Sequence, residues 1–270
     1  MFDLHVHSSP CVFPRLGDDA ETVAWYEDAG FTGCVLKGHV EPTAGRARAA
    51  GAGRRVSVHG AVVMNSAVGG LNPGAAEAAL ELGARVVWMP TLDARAHQEA
   101  GLPHPRVRGV TYATPPVDST SEAAILSICA LVAEADAVLA TGHLGGDEIA
   151  WLVPRARAAG VRRLLLTHPS FIVPGLDAAA TRAATEQGAV AEVTAYQLIH
   201  QPGMTAARLA AFIREVGPER CILSSDAGQR NSPRPPEALV QLVDALAVEG
   251  LDRRLLEAMA SELPERLVTL

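Results

Sequence analysis

Eight short apolar runs, each followed by a stretch of helical composition, recur along this 270-residue chain, and that rhythm constrains the fold more than any other feature. The runs lie at 2–6, 31–36, 56–63, 85–90, 137–141, 163–167, 189–194 and 221–225. Most are continuous blocks of β-branched residues and Leu, the pattern of parallel strands covered on both faces. Helices are predicted over 18–29, 42–50, 72–82, 119–135, 146–159, 176–187, 204–216, 236–248 and 252–268. Asp18 offers an N-cap, Gly30 a stop, and Pro73 a first-turn proline. Eight βα units over about 250 residues predict a (β/α)8 TIM barrel. A doubly wound open sheet is the alternative, but no Gly-x-Gly-x-x-Gly follows the first run. With 49% hydrophobic residues and no linker or composition break, residues 1–270 are expected to form one domain with a sizeable core.

One segment breaks the rhythm. Residues 91–118 combine several prolines with His97, His104, Arg95, Arg106 and Arg108. A long aperiodic stretch inside a compact domain predicts a lid-like insertion after strand 4, with 109–113 as a hairpin arm. Its arginines point weakly to an anionic small molecule, Arg106 being the candidate contact.

In such a barrel the chemistry sits at the carboxyl-terminal ends of the strands. The alternation of Phe2, Leu4 and Val6 with Asp3, His5 and His7 predicts that the three polar residues share one face. Two imidazoles so placed can grip one metal ion, and Asp3, one step deeper, can orient a ligand histidine. Lys37 and His39 end strand 2, His143 strand 5, His168 strand 6 and Asp226 strand 8, while Glu192 and Thr194 share a face of strand 7. A His-x-His pair alone is an ordinary accident of a buried strand. A barrel core has no packing reason to collect imidazoles at one end.

Lys37 stands out further as the sole lysine among 23 basic residues, which suggests a task that needs an amine rather than a guanidinium. Glu192, in a buried strand, must pair with something polar, with Lys37 or a ligand histidine as candidates. His39, Tyr196 and His200 are expected to line the pocket, His59 to pack, and His97 and His104 to lie in a solvated loop.

The ordered set, His5-Val6-His7, then His143 in Ala-Thr-Gly-His, His168 in Leu-Thr-His-Pro and Asp226 in Ser-Ser-Asp-Ala-Gly, resembles the amidohydrolase superfamily of metal-dependent barrel hydrolases. The resemblance runs from residue 3 to about 230, and the chain looks closest to a compact, uncharacterised group within it. It implies that His5, His7 and Asp226 bind one divalent ion, with His143 and His168 binding a second or positioning substrate. The ion would be Zn2+, with Mn2+ as an alternative. Asp226 would take a proton from the attacking water and pass it to the leaving group.

The chain departs from the pattern in one place. Two-metal members carry a bridging Glu or carboxylated Lys at the end of strand 4, where this chain reads Val-Trp-Met-Pro-Thr. Three readings of Lys37 stay open: a carboxylated bridge from strand 2, a cation that binds a substrate carboxylate or phosphate, or an acid/base beside a single metal.

The expected activity is hydrolysis of a C–N or C–O bond in an amide, cyclic amide, lactone or ester. A mononuclear metal-dependent decarboxylase is the alternative. A phosphoesterase of the polymerase-and-histidinol-phosphatase type fits less well, because Ser225-Asp226-Ala227-Gly228 lacks that family's Asp-x-His. A formal net charge of −7 with scattered arginines argues against nucleic acid, and no apolar run approaches the ~20 residues that span a bilayer. Cys11, Cys34, Cys129 and Cys221 show no CxxC spacing, which suits a reducing cytoplasm. Related barrels often assemble as homo-oligomers, but no heptad or exposed stripe here speaks to it.

Overall fold

The computed structural model describes residues 1–103 and 110–269. Eight parallel strands pair in chain order: β1 Phe2–Val6, β2 Gly33–Leu36, β3 Ser57–Val63, β4 Ala84–Trp88, β5 Val138–Ala140, β6 Arg163–Leu166, β7 Ala189–Thr194 and β8 Cys221–Ser224. The ring closes where the chain past β8 meets β1: the Asp226 amide donates to the His5 carbonyl at 2.8 Å, and the His7 amide to Ala227 at 2.9 Å. This is the predicted (β/α)8 barrel.

The helices among the described residues are α1 Asp19–Asp28, α2 Ala44–Gly51, α3 Pro73–Glu81, α4 Arg95–Glu99, α5 Glu122–Glu134, α6 Gly146–Ala158, α7 Ala178–Thr185, α8 Ala195–His200, α9 Ala206–Val216, α10 Pro235–Val248, α11 Arg253–Met259 and α12 Glu262–Val268. Local chemistry sets several boundaries. Asp18 and Glu21 form a reciprocal capping box at the start of α1. Asn72 caps α3, and Pro73 takes the position where its missing N–H costs nothing.

Side chains alternate across the barrel wall. Phe2, Leu4, Val35, Ala61, Val63, Val86, Trp88, Val138, Leu165 and Ile222 fill the interior. Their strand neighbours, such as Cys34, Leu36, Val62, Val87, Leu139, Leu164 and Leu223, pack outward against the helices. Apolar burial on both faces is why the strands read as continuous hydrophobic runs.

Two expectations change. The predicted 252–268 helix is broken between α11 and α12, whose N-cap residue Ser261 has non-helical backbone. The stretch after β7, where no helix is predicted, is helix α8. Its signal was present in Thr194-x-x-Gln197, where the Thr194 side chain accepts from the Gln197 amide while the Gln197 carbonyl accepts from Thr194 N at 3.0 Å.

The 91–118 segment is less aperiodic than predicted. It holds α4, and Tyr112 pairs in parallel with Ala94, which is not the geometry of a hairpin arm. Residues 104–109, including the candidate contact Arg106, lie outside the described residues.

Candidate metal centre

The site begins with an irregularity in β1. Asp3 pairs with Cys34 but Val6 pairs with Leu36, so three steps on β1 oppose two on β2. This bulge inverts the alternation. Phe2 and Leu4 point into the barrel with Val35, whereas Val6 points outward with Tyr26 and Leu36. Bulges of this kind re-aim side chains at barrel rims, and here the result is that His5 and His7 face the mouth.

The expectation for Asp3 is corrected by the same bulge. Asp3 does not share the histidines' face and orients no imidazole. It accepts from the Tyr26 hydroxyl, from the Ser225 amide at 3.0 Å and from the His5 amide at 3.2 Å, so it ties β1 to α1 and to the segment carrying Asp226. Burial raises its pKa despite those bonds.

Other groups do the orienting. The His5 ring faces Glu192 through Nδ1 at 3.1 Å, and the His7 ring donates from Nδ1 to the Lys37 carbonyl at 3.1 Å. With protons on both Nδ1 atoms, each Nε2 turns a lone pair inward. Both lone pairs meet one carboxylate oxygen: Asp226 Oδ1 lies 3.0 Å from His5 Nε2 and 3.1 Å from His7 Nε2. Three electron-rich atoms so close require a cation or additional protons among them. Two imidazole nitrogens and one carboxylate oxygen are a donor set suited to a divalent transition ion with further positions open. Among the described residues these three form the one cluster whose ligand atoms all lie within 4.8 Å of one another.

Electrostatics agree with that geometry. Burial pushes the Asp226 carboxyl upward, but His5 and His7 outweigh it and hold it well below the usual carboxylate range. Burial, reinforced by Arg15, holds His7 far below ordinary imidazole. His5 moves the other way: burial lowers it, and Asp226 with Glu192 more than restores it.

Lys37 meets this cluster directly. Its Nζ lies 2.9 Å from His5 Nε2 and 4.1 Å from the centroid of the Trp88 ring. Burial brings its pKa down to about 8. Only one proton fits in the Nζ–Nε2 contact, and a metal ion would displace it. Trp88 also accounts for the departure at strand 4. It fills the inward position at the end of β4, its ring 4.7 Å from His5, and the end of β2, two strands away, supplies the amine over its face.

The remaining histidines flank the cluster. His143 and His168 stand 5.0 Å apart between ring centroids, and His168 lies 6.2 Å from His5. They share the mouth but do not join the three-ligand group. Both have depressed pKa values through burial, His168 down to about 4, and His168 Nδ1 is buried without a hydrogen-bond partner. His39 is buried and stacks on His7 at 4.7 Å.

The expectation that His97 lies in a solvated loop is corrected. It is buried, and its Nδ1 lies 2.7 Å from His143 Nδ1. His97 Nε2 faces the Pro103 carbonyl at 3.3 Å, which can only accept. With a neutral His97 ring, that contact places its proton on Nε2 and leaves Nδ1 to accept from His143, whose own Nε2 then carries a lone pair. Glu192, expected to pair with Lys37 or a histidine, meets the His5 ring and accepts from the His168 amide at 3.2 Å as well.

The backbone at the strand ends is shaped for this crowding. His168 and Asp226 adopt φ of 27° and 49°, a region that costs non-glycine residues on the order of 1 kcal/mol each. Gly142 (φ 59°) could carry no Cβ, which would lie 2.3 Å from the Met89 carbonyl. That turn brings the His143 amide onto Pro90 at 2.9 Å.

The cluster opens into a cavity of about 380 Å³ whose walls include His39, Leu92, Phe171 and Tyr196. His200 hydrogen-bonds Ser232 at 2.7 Å beside Tyr196. Arg15 and Phe13, which sequence reasoning passed over, also line it. Both sit in the 8–17 loop, where no periodicity marked them.

Fold and site together define a (β/α)8 barrel with a buried His-His-Asp cluster at its mouth that could hold a metal ion. Residues 1–192 match the model of a family described as "Family of unknown function (DUF6282)", and the chain belongs to that family. Comparison with curated proteins gives no match.

Solved structures share the fold. An amidohydrolase from Pseudomonas aeruginosa aligns with a TM-score of 0.64 and 12% identity over 99% of this chain and 94% of its own. A triple mutant of an organophosphorus hydrolase from Deinococcus radiodurans gives 0.66 and 13% over 99% and 93%. A mutant PTE-like lactonase from Deinococcus radiodurans gives 0.60 and 12% over 93% and 85%. At these identities the likeness is one of fold.

Proposed function

We propose that this protein is a metal-dependent hydrolase that cleaves a C–N or C–O bond in a small molecule, with esters, lactones and amides as the substrate range. The observation that carries this reading is the convergence of His5 Nε2, His7 Nε2 and Asp226 Oδ1, with each ring's other nitrogen already committed. The names of the structural neighbours, organophosphorus hydrolase, lactonase and amidohydrolase, support the same class.

A divalent ion held by these residues supplies Lewis acidity and makes water a nucleophile near neutral pH. Zn2+ is the first candidate from the nitrogen-rich donor set, and Mn2+ the second. The Asp226 carboxylate, its pKa held low by His5 and His7, accepts the proton of the attacking water and returns it to the leaving group. Glu192 and the Lys37 carbonyl fix the ring orientations of His5 and His7. His143 and His168 hold a second ion or the substrate, and His39 and Tyr196 bound the cavity.

We read Lys37 as adjacent to the metal. Its amine, with a pKa near 8, is neutral in a useful fraction at physiological pH, the form that carboxylation requires. Labelled bicarbonate followed by carbon NMR, and rescue of Lys37→Ala by short carboxylic acids, would support a carbamate. A single three-donor cluster also keeps the mononuclear decarboxylase as the second reading.

We further place the protein in the cytoplasm acting as one unit over residues 1–270, with a small anionic molecule as its partner. No helix among the described residues is long and apolar enough to cross a membrane.

The test is metal reconstitution against a panel of lactones, esters and amides. Expected are stoichiometric binding of Zn2+ or Mn2+, turnover of at least one class, and loss on chelation. No bound metal, or full turnover after chelation, would overturn the reading.

A further inference from the structure

The cavity wall contains a buried arginine that makes no ion pair among the described residues. Arg15 is only 6% exposed, its Nε is buried without a hydrogen-bond partner, and among the described residues no carboxylate pairs with it. Its guanidinium carbon lies 5.6 Å from the centroid of the Phe13 ring. A charge removed from water is retained only where something compensates it.

The position of this guanidinium is built. The Leu16 amide donates to the Gly228 carbonyl at 2.8 Å, and Arg15 itself bridges in antiparallel fashion to Gln229. Those contacts staple the loop after β1 to the segment that carries Asp226. Gly228 permits the approach, since a Cβ there would stand 1.8 Å from the His7 carbonyl. Arg15 therefore shares one cavity with His7, Lys37, His39 and Asp226.

We infer that Arg15 is the subsite for a carboxylate on the substrate, which is thus a small molecule bearing both a hydrolysable acyl bond and a separate carboxylate. This rests on the proposed hydrolase reading for the acyl half. A planar guanidinium with unused donors matches a carboxylate in bidentate fashion. Phe13, Leu92, Leu102 and Phe171 give the cavity apolar walls beside Arg15, while Gln229, Arg230 and Asn231 also line it, so inorganic phosphate is the competing anion that the titration must separate from a carboxylate. The apolar walls suit a short hydrocarbon spacer between the carboxylate and the bond that is cut.

The experiment measures binding separately from turnover. 3-Phenylpropanoate, its amide and inorganic phosphate are titrated calorimetrically into the full-length protein, both metal-loaded and chelator-stripped. The expected result is that the carboxylate binds both forms, at least ~10-fold more tightly than the amide, as loss of a charge-assisted bidentate contact implies. Arg15→Met should remove that preference, and Arg15→Lys should keep only part of it, because an ammonium lacks the fork. Thermal melts of both variants establish that they fold.

Carboxylate binding that vanishes with the metal, or that persists undiminished in a folded Arg15→Met variant, would overturn the inference. So would an Arg15-dependent preference for phosphate. If the carboxylate preference holds but no carboxylated ester, lactone or amide is turned over, the hydrolase reading fails and the subsite stands.

Discussion

The two ends of the barrel are built on opposite principles. At the amino-terminal end α12 lies across the strands, with Leu263, Leu267 and Val268 packed against Phe2 and its interior neighbours. Arg163 clamps that helix by donating to the carbonyls of Arg266 at 2.7 Å, Leu267 at 2.9 Å and Thr269 at 2.7 Å, while its other amino group meets Asp136 at 2.8 Å. Arg85 adds a bond from Nε to the Val268 carbonyl at 2.8 Å, its buried Nη2 being the one donor of this clamp without a partner among the described residues. At the carboxyl-terminal mouth, histidines, a lysine and carboxylates are buried together, two residues sit in left-handed backbone, and lone pairs face one another. Left-handed backbone is not what separates them, since Asp136 in the clamp also has a φ of 47°; the difference is that the Arg163 and Asp136 charges pair at one end, whereas the mouth concentrates polarity left uncompensated by the chain itself.

Substitutions should separate the ends. Asp226→Asn keeps the shape of the side chain but removes the proton acceptor and the anionic ligand. The expected loss in turnover is about 10³-fold or more, with the melting temperature of the metal-free protein unchanged or raised. A comparable fall in melting temperature would mean that the mouth, too, is structural.

Arg163→Ala should do the reverse. Losing the charged donor from several backbone carbonyls is expected to cost about 2–3 kcal/mol, read from urea unfolding, with metal affinity intact. Glu192→Gln lies between in kind but is smaller in effect. It weakens the anchor on His5 Nδ1, and metal affinity should fall about 10-fold while the fold persists. Unchanged affinity would show that Glu192 serves packing alone.

The difference between the ends also explains what was legible in the sequence. The barrel was readable because eight apolar runs and their capped helices repeat a pattern that parallel strands require, and the order of His5, His7, His143, His168 and Asp226 located the mouth. The role of Asp3 was misread because a bulge adds one residue to β1, and period-2 reasoning has no means of detecting it. His97 was misread because its partner, His143, lies 46 residues away and only the fold brings them together. Arg15 was passed over because its importance lies in lacking a partner, a property of three-dimensional packing that a string of residues does not carry.

The last comparison uses pH to tell the ends apart. Burial leaves His168 with a pKa of about 4, and it lowers His7, His39 and His143 in the same direction. In the unfolded chain each of these rings takes up a proton near pH 6.5, whereas the folded protein refuses it. The unfolded state therefore binds more protons as pH falls through that value, and stability falls with it, by up to about 1.4 kcal/mol per pH unit for each such ring. His5 opposes the trend, because Asp226 and Glu192 outweigh its burial and raise its pKa. The Arg163–Asp136 clamp contributes little between pH 6.5 and 4, since its carboxyl is held below its usual value, mainly by the Arg163 hydrogen bond. Urea midpoints of chelator-treated protein should thus decline from pH 6.5 toward pH 4, and His168→Asn should flatten the slope while Arg163→Ala lowers the curve without changing its shape. A profile flat to pH 4 in the metal-free protein would mean that the buried imidazoles gain proton-accepting partners on acidification, and the contrast between a compensated floor and an uncompensated mouth would fail.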